Sequence, residues 1–319
     1  MSDNVKVLVV GAGAMAKEYC KVLLAQNYIP VVIGRGKENA EALEKEFGVS
    51  VITGGLEKGF VSLSEVPEFA IVAIDVLQLA EATKFLLNKG IKNILVEKPG
   101  ALQREELKEV CELSEQLNAH VYVAYNRRFY ASVDKAMEII EKDGGVTSFN
   151  FEFTEWAHLF RNVGKERKDY VRKTLFIGNS THVMDLAFFL GGFPTELSSY
   201  ATGEIDIYQG AAIYAGAGVS EKGALFSYQA NWDAPGRWVV EILTKKHRLY
   251  FKPMEKLQIQ ELASVAVNPV EIDDRLDVEY KAGFYRQVES FIKEIDDGKK
   301  VMLDEQIRNF EIYKKMENK

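Results

Sequence analysis

Three groups of residues in this chain have types and spacing that chemistry can use. Glu97-Lys98-Pro99 follows an apolar run of strand length. At the carboxyl edge of a parallel sheet, where such sheets bind ligands, an ammonium can hydrogen-bond a reacting oxygen and stabilise negative charge on it. His182 precedes the helical stripe Val183, Leu186, Ala187 and Leu190 and lies off it. Expected in the first turn of that helix, it faces a field that disfavours the imidazolium, so it reads as a neutral ring able to accept a hydroxyl proton near neutral pH. The third group is Gly11-Ala12-Gly13-Ala14-Met15-Ala16, directly after Val5–Val10.

A buried strand that empties into such a glycine turn builds a site for a dinucleotide pyrophosphate. Gly11 permits the tight turn and Gly13 lets the backbone approach phosphate. Ala16 lets the next helix lie close to the strand, and that helix offers its unpaired N–H groups to the anion. The second strand ends in Gly34-Arg35-Gly36, with an arginine where an NAD site usually has an acid. NADP is therefore favoured over NAD, with Glu38 near enough to keep NAD open. The remaining expected cofactor contacts are Ala73 and Ile74 after the fourth strand, and Glu97 and Lys98.

The elements that must position these groups alternate from residue 5 to about 125. Strands are predicted at Val5–Val10, Ile29–Ile33, Val49–Ile52, Phe69–Ile74, Ile94–Val96 and His120–Ala124, with four helices between them. That is a six-stranded, doubly wound parallel sheet. After Tyr125 come a helix at Ser132–Lys142, alternating runs separated by Gly, Asn, Asp and Pro, a helix at Ser180–Leu190, and helices near Lys281–Asp296 and Asp304–Lys315. This half reads as an α+β domain with a large, mostly antiparallel open sheet. The expected division is 1–124 for the dinucleotide and 125–319 for substrate and oligomerisation, the last helices being able to pack back on the first domain.

Composition narrows the function. A chain of 319 residues, 47% apolar and 27% charged, has enough apolar sequence for two cores. Its net charge of −7 offers no basic field for nucleic acid or anionic membrane. No apolar run is long enough for a membrane span. Cys20 and Cys111 and the four histidines lack metal-ligand spacing, so no metal is expected, and two unpaired thiols suit a reducing, cytoplasmic setting.

With Tyr125-Asn126-Arg127-Arg128-Phe129, His182-Val183-Met184-Asp185 and Gln287-Val288-Glu289-Ser290-Phe291, these motifs make the chain resemble the glucose-fructose oxidoreductase/inositol dehydrogenase (Gfo/Idh/MocA) family over nearly its whole length. The resemblance implies an N-terminal Rossmann domain and an NAD(P)-dependent oxidoreductase acting on a secondary alcohol carbon of a sugar-like small molecule. It also implies a cis peptide before Pro99, Lys98 at the reacting oxygen and His182 as general acid/base. One position departs: polyol dehydrogenases of the family often carry an aspartate four residues before this histidine, and here it is Gly178. Asn179 or Asp185 could supply a polar partner, although Asp185 suits a structural role.

Candidate substrate contacts are Tyr125, Arg127, Trp156, Arg161, Asn179 and His182. The segment Glu155–Lys173 mixes cations and aromatics that could grip an anionic or phosphorylated sugar, or form a solvated loop or oligomer contact. Arg127 and Arg128 suit a structural place at the domain junction, and Trp232 and Trp238 suit sheet and turn positions. A homo-oligomer, dimer or tetramer, is expected through the open sheet. The rival readings are reduction of a C=C or C=N bond on this scaffold, and a dinucleotide-binding regulator without turnover.

Overall fold

The computed structural model describes residues 5–318. Its first part alternates β1 (Lys6–Val10), α1 (Ala14–Ala25), β2 (Ile29–Ile33), α2 (Lys37–Phe47), β3 (Val51–Ile52), α3 (Leu56–Val61), β4 (Phe69–Val72), α4 (Leu79–Asn88), β5 (Asn93–Glu97), α5 (Arg104–Gln116) and β6 (His120–Ala124). The strands pair in parallel in the order β6-β5-β4-β1-β2-β3. Helices cover both faces of such a sheet, so its strands are apolar almost throughout rather than alternating. Val7, Leu8 and Val9 of β1 and Ala70, Ile71 and Val72 of β4 are all fully buried.

The next part has another logic. α6 (Ala131–Lys142) leads to β7 (Ser148–Glu152), α7 (Lys165–Leu175) and α8 (Thr181–Gly191). Then come β8 (Pro194–Thr202), β9 (Ile213–Ser220), β10 (Leu225–Asn231), β11 (Val239–Leu243), β12 (His247–Phe251), β13 (Gln258–Glu261) and β14 (Asn268–Pro269). They form one sheet in the order β14-β13-β12-β11-β7-β10-β9-β8, antiparallel except for the parallel pair β7 and β10. β10 buries Phe226, Tyr228 and Ala230 and exposes Leu225, Ser227 and Gln229, the alternation of a sheet with one packed face and one open face. On the packed face α8 lies against β7 and β11, and Phe149 and Phe151 meet Phe188 edge to face.

α7 and α8 are not separated by a break. Phe176–Ser180 form a π turn with right-handed helical residues on either side, so the backbone stays helical from Lys165 to Gly191. This corrects the sequence reading twice. Most of the stretch after Glu155 is α7 rather than a loop. His182 sits in the interior of a continuous helical run, not at a helix start, so the end-of-helix argument for a neutral ring does not apply to it.

The chain closes with α9 (Arg275–Glu279), α10 (Phe284–Ile292), β15 (Val301–Met302) and α11 (Leu303–Glu317). It divides into two compact units, Met1–Asn126 with Leu276–Arg308, and Arg127–Arg275 with Asn309–Lys319. Placing all of 125–319 in the second domain therefore needs correction for 276–308. The reason is apolar burial: Phe284 packs on Tyr19 of α1 at 4.7 Å between ring centroids, and Phe291 meets Phe69 of β4 edge-on at 5.6 Å. Both, with Val288, belong to the core built around β1 and α1. β15 adds a seventh, antiparallel strand to β6, one more than the six expected.

Candidate functional site

In the first unit, β1 ends at Gly11, whose φ of +118° is open to glycine and hardly to any other residue. A Cβ there would lie 2.3 Å from the carbonyl oxygen of Ala73, so Gly11 also lets the end of β1 pass close beside the end of β4. Gly13 differs: it caps α1 in an extended conformation, and a Cβ on it would meet nothing within 4 Å. Gly36 caps α2 with the same open space. Each helix thus presents its unpaired first-turn N–H groups across a glycine, the arrangement that receives an anion.

These helix starts face a cavity of about 1160 Å³ whose wall includes Gly11 to Met15, Gly34 to Gly36, Asn39 and Ala73 to Asp75. The open Cβ space at Gly13 and the wide cavity fit a dinucleotide. Of the expected contacts, Gly11, Ala12, Gly13, Ala14, Met15, Gly34, Arg35, Ala73 and Ile74 line the wall. Ala16 is instead fully buried in the core beneath, and Glu97 and Lys98 are not among the lining residues. Arg35 is exposed in the wall, whereas Glu38, one turn into α2, is not part of it.

β5 delivers Glu97 and Lys98. The Tyr19 hydroxyl donates to Glu97 Oε1 at 2.8 Å, and burial holds that carboxyl above its ordinary range. The Lys98–Pro99 peptide is cis, as the resemblance implies. Gln306 Nε2 donates to the carbonyl of Pro99 and to the hydroxyl of Tyr125, so Tyr125 is held in the interior, 1% exposed. Neither thiol is activated, burial pushing Cys20 up to about 12 and Cys111 up to about 11.

In the second unit a different set converges around the π turn. Glu155, just past β7, is 2% exposed and accepts from Ser180 Oγ at 2.6 Å, Asn179 Nδ2 at 2.8 Å and Arg237 Nη1 at 3.4 Å. Burial raises its carboxyl above the usual range, and these donors offset only part of that. Arg237 lies over the Trp238 ring at 4.1 Å and over Trp156 at 4.6 Å, while Arg127 lies over Trp238 at 4.8 Å. The His182 ring is 6.1 Å from the same indole.

Arg127, Trp156, Asn179 and His182 thus come together, with Asn179 bonded to Glu155 rather than standing as a free partner. Arg161 does not join them: it pairs with Asp233 at 2.6 Å and faces Asp206. Asp185 is taken by Arg128 in a buried two-pronged pair, 2.9 and 2.6 Å, which is the structural role expected of it. Sequence reading missed Arg237 and Trp238, because Trp-Asp-Ala-Pro-Gly-Arg-Trp carries a strong turn signal and nothing local announces the cluster. Trp232 is the core residue expected, its indole donating to Phe153 O.

Comparison with known proteins adds to this geometry. No curated protein sequence matches the chain. Among solved structures, levoglucosan dehydrogenase in complex with NADH and L-sorbose is 20% identical, with a TM-score of 0.79 over 98% of this chain and 96% of that one. UDP-N-acetylglucosamine 3-dehydrogenase from Acidithiobacillus ferrooxidans is 12% identical, TM-score 0.75, over 98% and 96%. The WlbA dehydrogenase from Chromobacterium violaceum, in complex with NADH and UDP-GlcNAcA, is 15% identical, TM-score 0.71, over 98% and 92%. At these identities the likeness shows the fold. The family model described as oxidoreductase family, NAD-binding Rossmann fold, matches residues 5–125. Through those residues the chain belongs to the Gfo/Idh/MocA oxidoreductase family, with its NAD-binding Rossmann fold.

Proposed function

We propose that this chain is an NAD(P)-dependent dehydrogenase that interconverts a secondary alcohol and a ketone at one carbon of a sugar, sugar acid, polyol or nucleotide sugar. The observation that carries this reading is the place of Lys98. It follows β5, which pairs with β4, and β4 runs on into Ala73 and Ile74 of the dinucleotide cavity. The sugar and nucleotide-sugar dehydrogenases of like fold support the substrate class.

The backbone of Gly11 to Met15 would hold the pyrophosphate, and Arg35 would pair with a 2′-phosphate. When bound, the nicotinamide supplies or accepts the hydride. The Lys98 ammonium donates to the substrate oxygen and stabilises its negative charge. His182 takes the hydroxyl proton in the oxidative direction and returns it in the reductive one. Arg35 in the cavity wall, with Glu38 outside it, supports NADP over NAD. The open sheet face, where Leu225 is exposed, supports a dimer or tetramer, and two free thiols support a cytoplasmic setting.

The test is a panel of sugars, sugar acids, polyols and nucleotide sugars followed by nicotinamide absorbance with NADP and NAD. Turnover with at least one is expected. The Lys98→Met variant should keep cofactor affinity and lose roughly a hundredfold or more in kcat, as removal of a charge-stabilising donor does. Near-normal turnover in that variant removes Lys98 from the mechanism.

A further inference from the structure

The cluster around Trp238 has an unbalanced charge. Two guanidiniums, Arg127 and Arg237, stack on this one indole, and His182 lies beside it. The buried anion that faces them is Glu155, 3.4 Å from Arg237. Burial lowers the proton affinity of Arg127, and the neighbouring charge of Arg237 lowers it further. Glu255, which acts on Arg127 from the other side, is solvent-exposed and so contributes through a screened field. The half-buried site therefore holds two fixed cations against one buried carboxylate.

Stacking also leaves the arginine donors available. A guanidinium lying face-on over an indole uses its face, and its N–H edge stays free for a planar acceptor in the same plane. Arg237 gives one N–H to Glu155 across a long 3.4 Å contact, and its side chain is 40% exposed. A carboxylate is the planar, singly charged group that matches a guanidinium edge and cancels an excess of one positive charge.

We propose that Arg127 and Arg237, parked on Trp238 beside His182, form a subsite for a carboxylate carried by the substrate, so that the ligand class is a sugar acid. This rests on the dehydrogenase reading for the ligand being a substrate; the subsite itself rests on the charges and the stacking. Glu155 tunes it. Bonded to Ser180 and Asn179 of the π turn, it supplies the counter-charge in the absence of ligand and competes with the incoming carboxylate for Arg237.

The experiment measures binding to the full chain by calorimetry, without nucleotide, for a panel of hexuronates and aldonates, their neutral sugars and the matching sugar phosphates. It uses the wild type, Arg237→Gln and Glu155→Gln, with a thermal melt of each as a check on folding. Nicotinamide turnover is measured on the same panel. A carboxylate sugar should bind roughly tenfold to a hundredfold tighter than its neutral counterpart. That preference should weaken with salt and vanish in Arg237→Gln, whereas Glu155→Gln, by removing the competing anion, should tighten carboxylate binding severalfold.

The proposal is overturned if no carboxylate is preferred by the wild type, if the preference survives in a folded Arg237→Gln, or if sugar phosphates bind tighter than carboxylates. Turnover on neutral sugars without any carboxylate preference would sink the subsite and keep the dehydrogenase. Carboxylate binding that depends on Arg237, with no turnover on any member of the panel, would keep the subsite and sink the dehydrogenase.

Discussion

Arg35 separates two cofactors that differ by one phosphate. If its guanidinium pairs with the 2′-phosphate, Arg35→Ala raises the Kd for NADP roughly tenfold to a hundredfold, the worth of a charge-assisted pair, and leaves that for NAD almost unchanged. Fluorescence titration of both nucleotides measures this, and equal losses would mean that the side chain shapes the loop. For His182→Ala, the pH–rate profile should lose its basic group along with most turnover; an unchanged profile would move the proton transfer elsewhere. The glycine turn and Lys98 were legible in sequence because turn chemistry and strand ends are local. Glu155, Arg237 and Trp238 were not. Their meaning comes from a meeting of the end of β7, the π turn and the start of β11, which no short window contains.

Among the elements, the α7–α8 run shows what periodicity misses. α7 reads Lys-Glu-Arg-Lys-Asp-Tyr-Val-Arg-Lys-Thr-Leu, with too few apolar residues to announce a helix, yet Val171, Thr174 and Leu175 reach the core. A π turn has no sequence signature here at all, so the histidine was placed at a helix start. β12 to β15 went unread for the opposite reason: short edge strands carry little alternation to detect. α8 in turn is pinned by Asp185, fully buried against Arg128. Asp185→Ala leaves that guanidinium buried without its counter-ion and should cost about 3–5 kcal/mol, read as a lower urea midpoint. Replacing both partners with apolar residues should cost much less. If the single and double variants lose equally, the pair is not what anchors the helix.

At the scale of the molecule, the segment 276–308 completes a core begun at the other end of the chain. A fragment ending at residue 126 lacks Phe284, Val288 and Phe291, each worth about 1.5–3 kcal/mol of apolar burial. It should therefore bind the hydrophobic dye ANS and be cleaved readily by protease. The same fragment joined through a flexible linker to 276–308 should resist cleavage and hold nucleotide; equal resistance in both fragments would mean that the first six strands suffice. During synthesis the same feature becomes a matter of time. The ribosome makes the six parallel strands early but releases α10 only about 180 residues after β6. At ordinary elongation rates that is on the order of ten to forty seconds in which the nascent sheet waits with an apolar face uncovered. For that interval the chain depends on whatever shields it, and a slow-translating host exposes it longest.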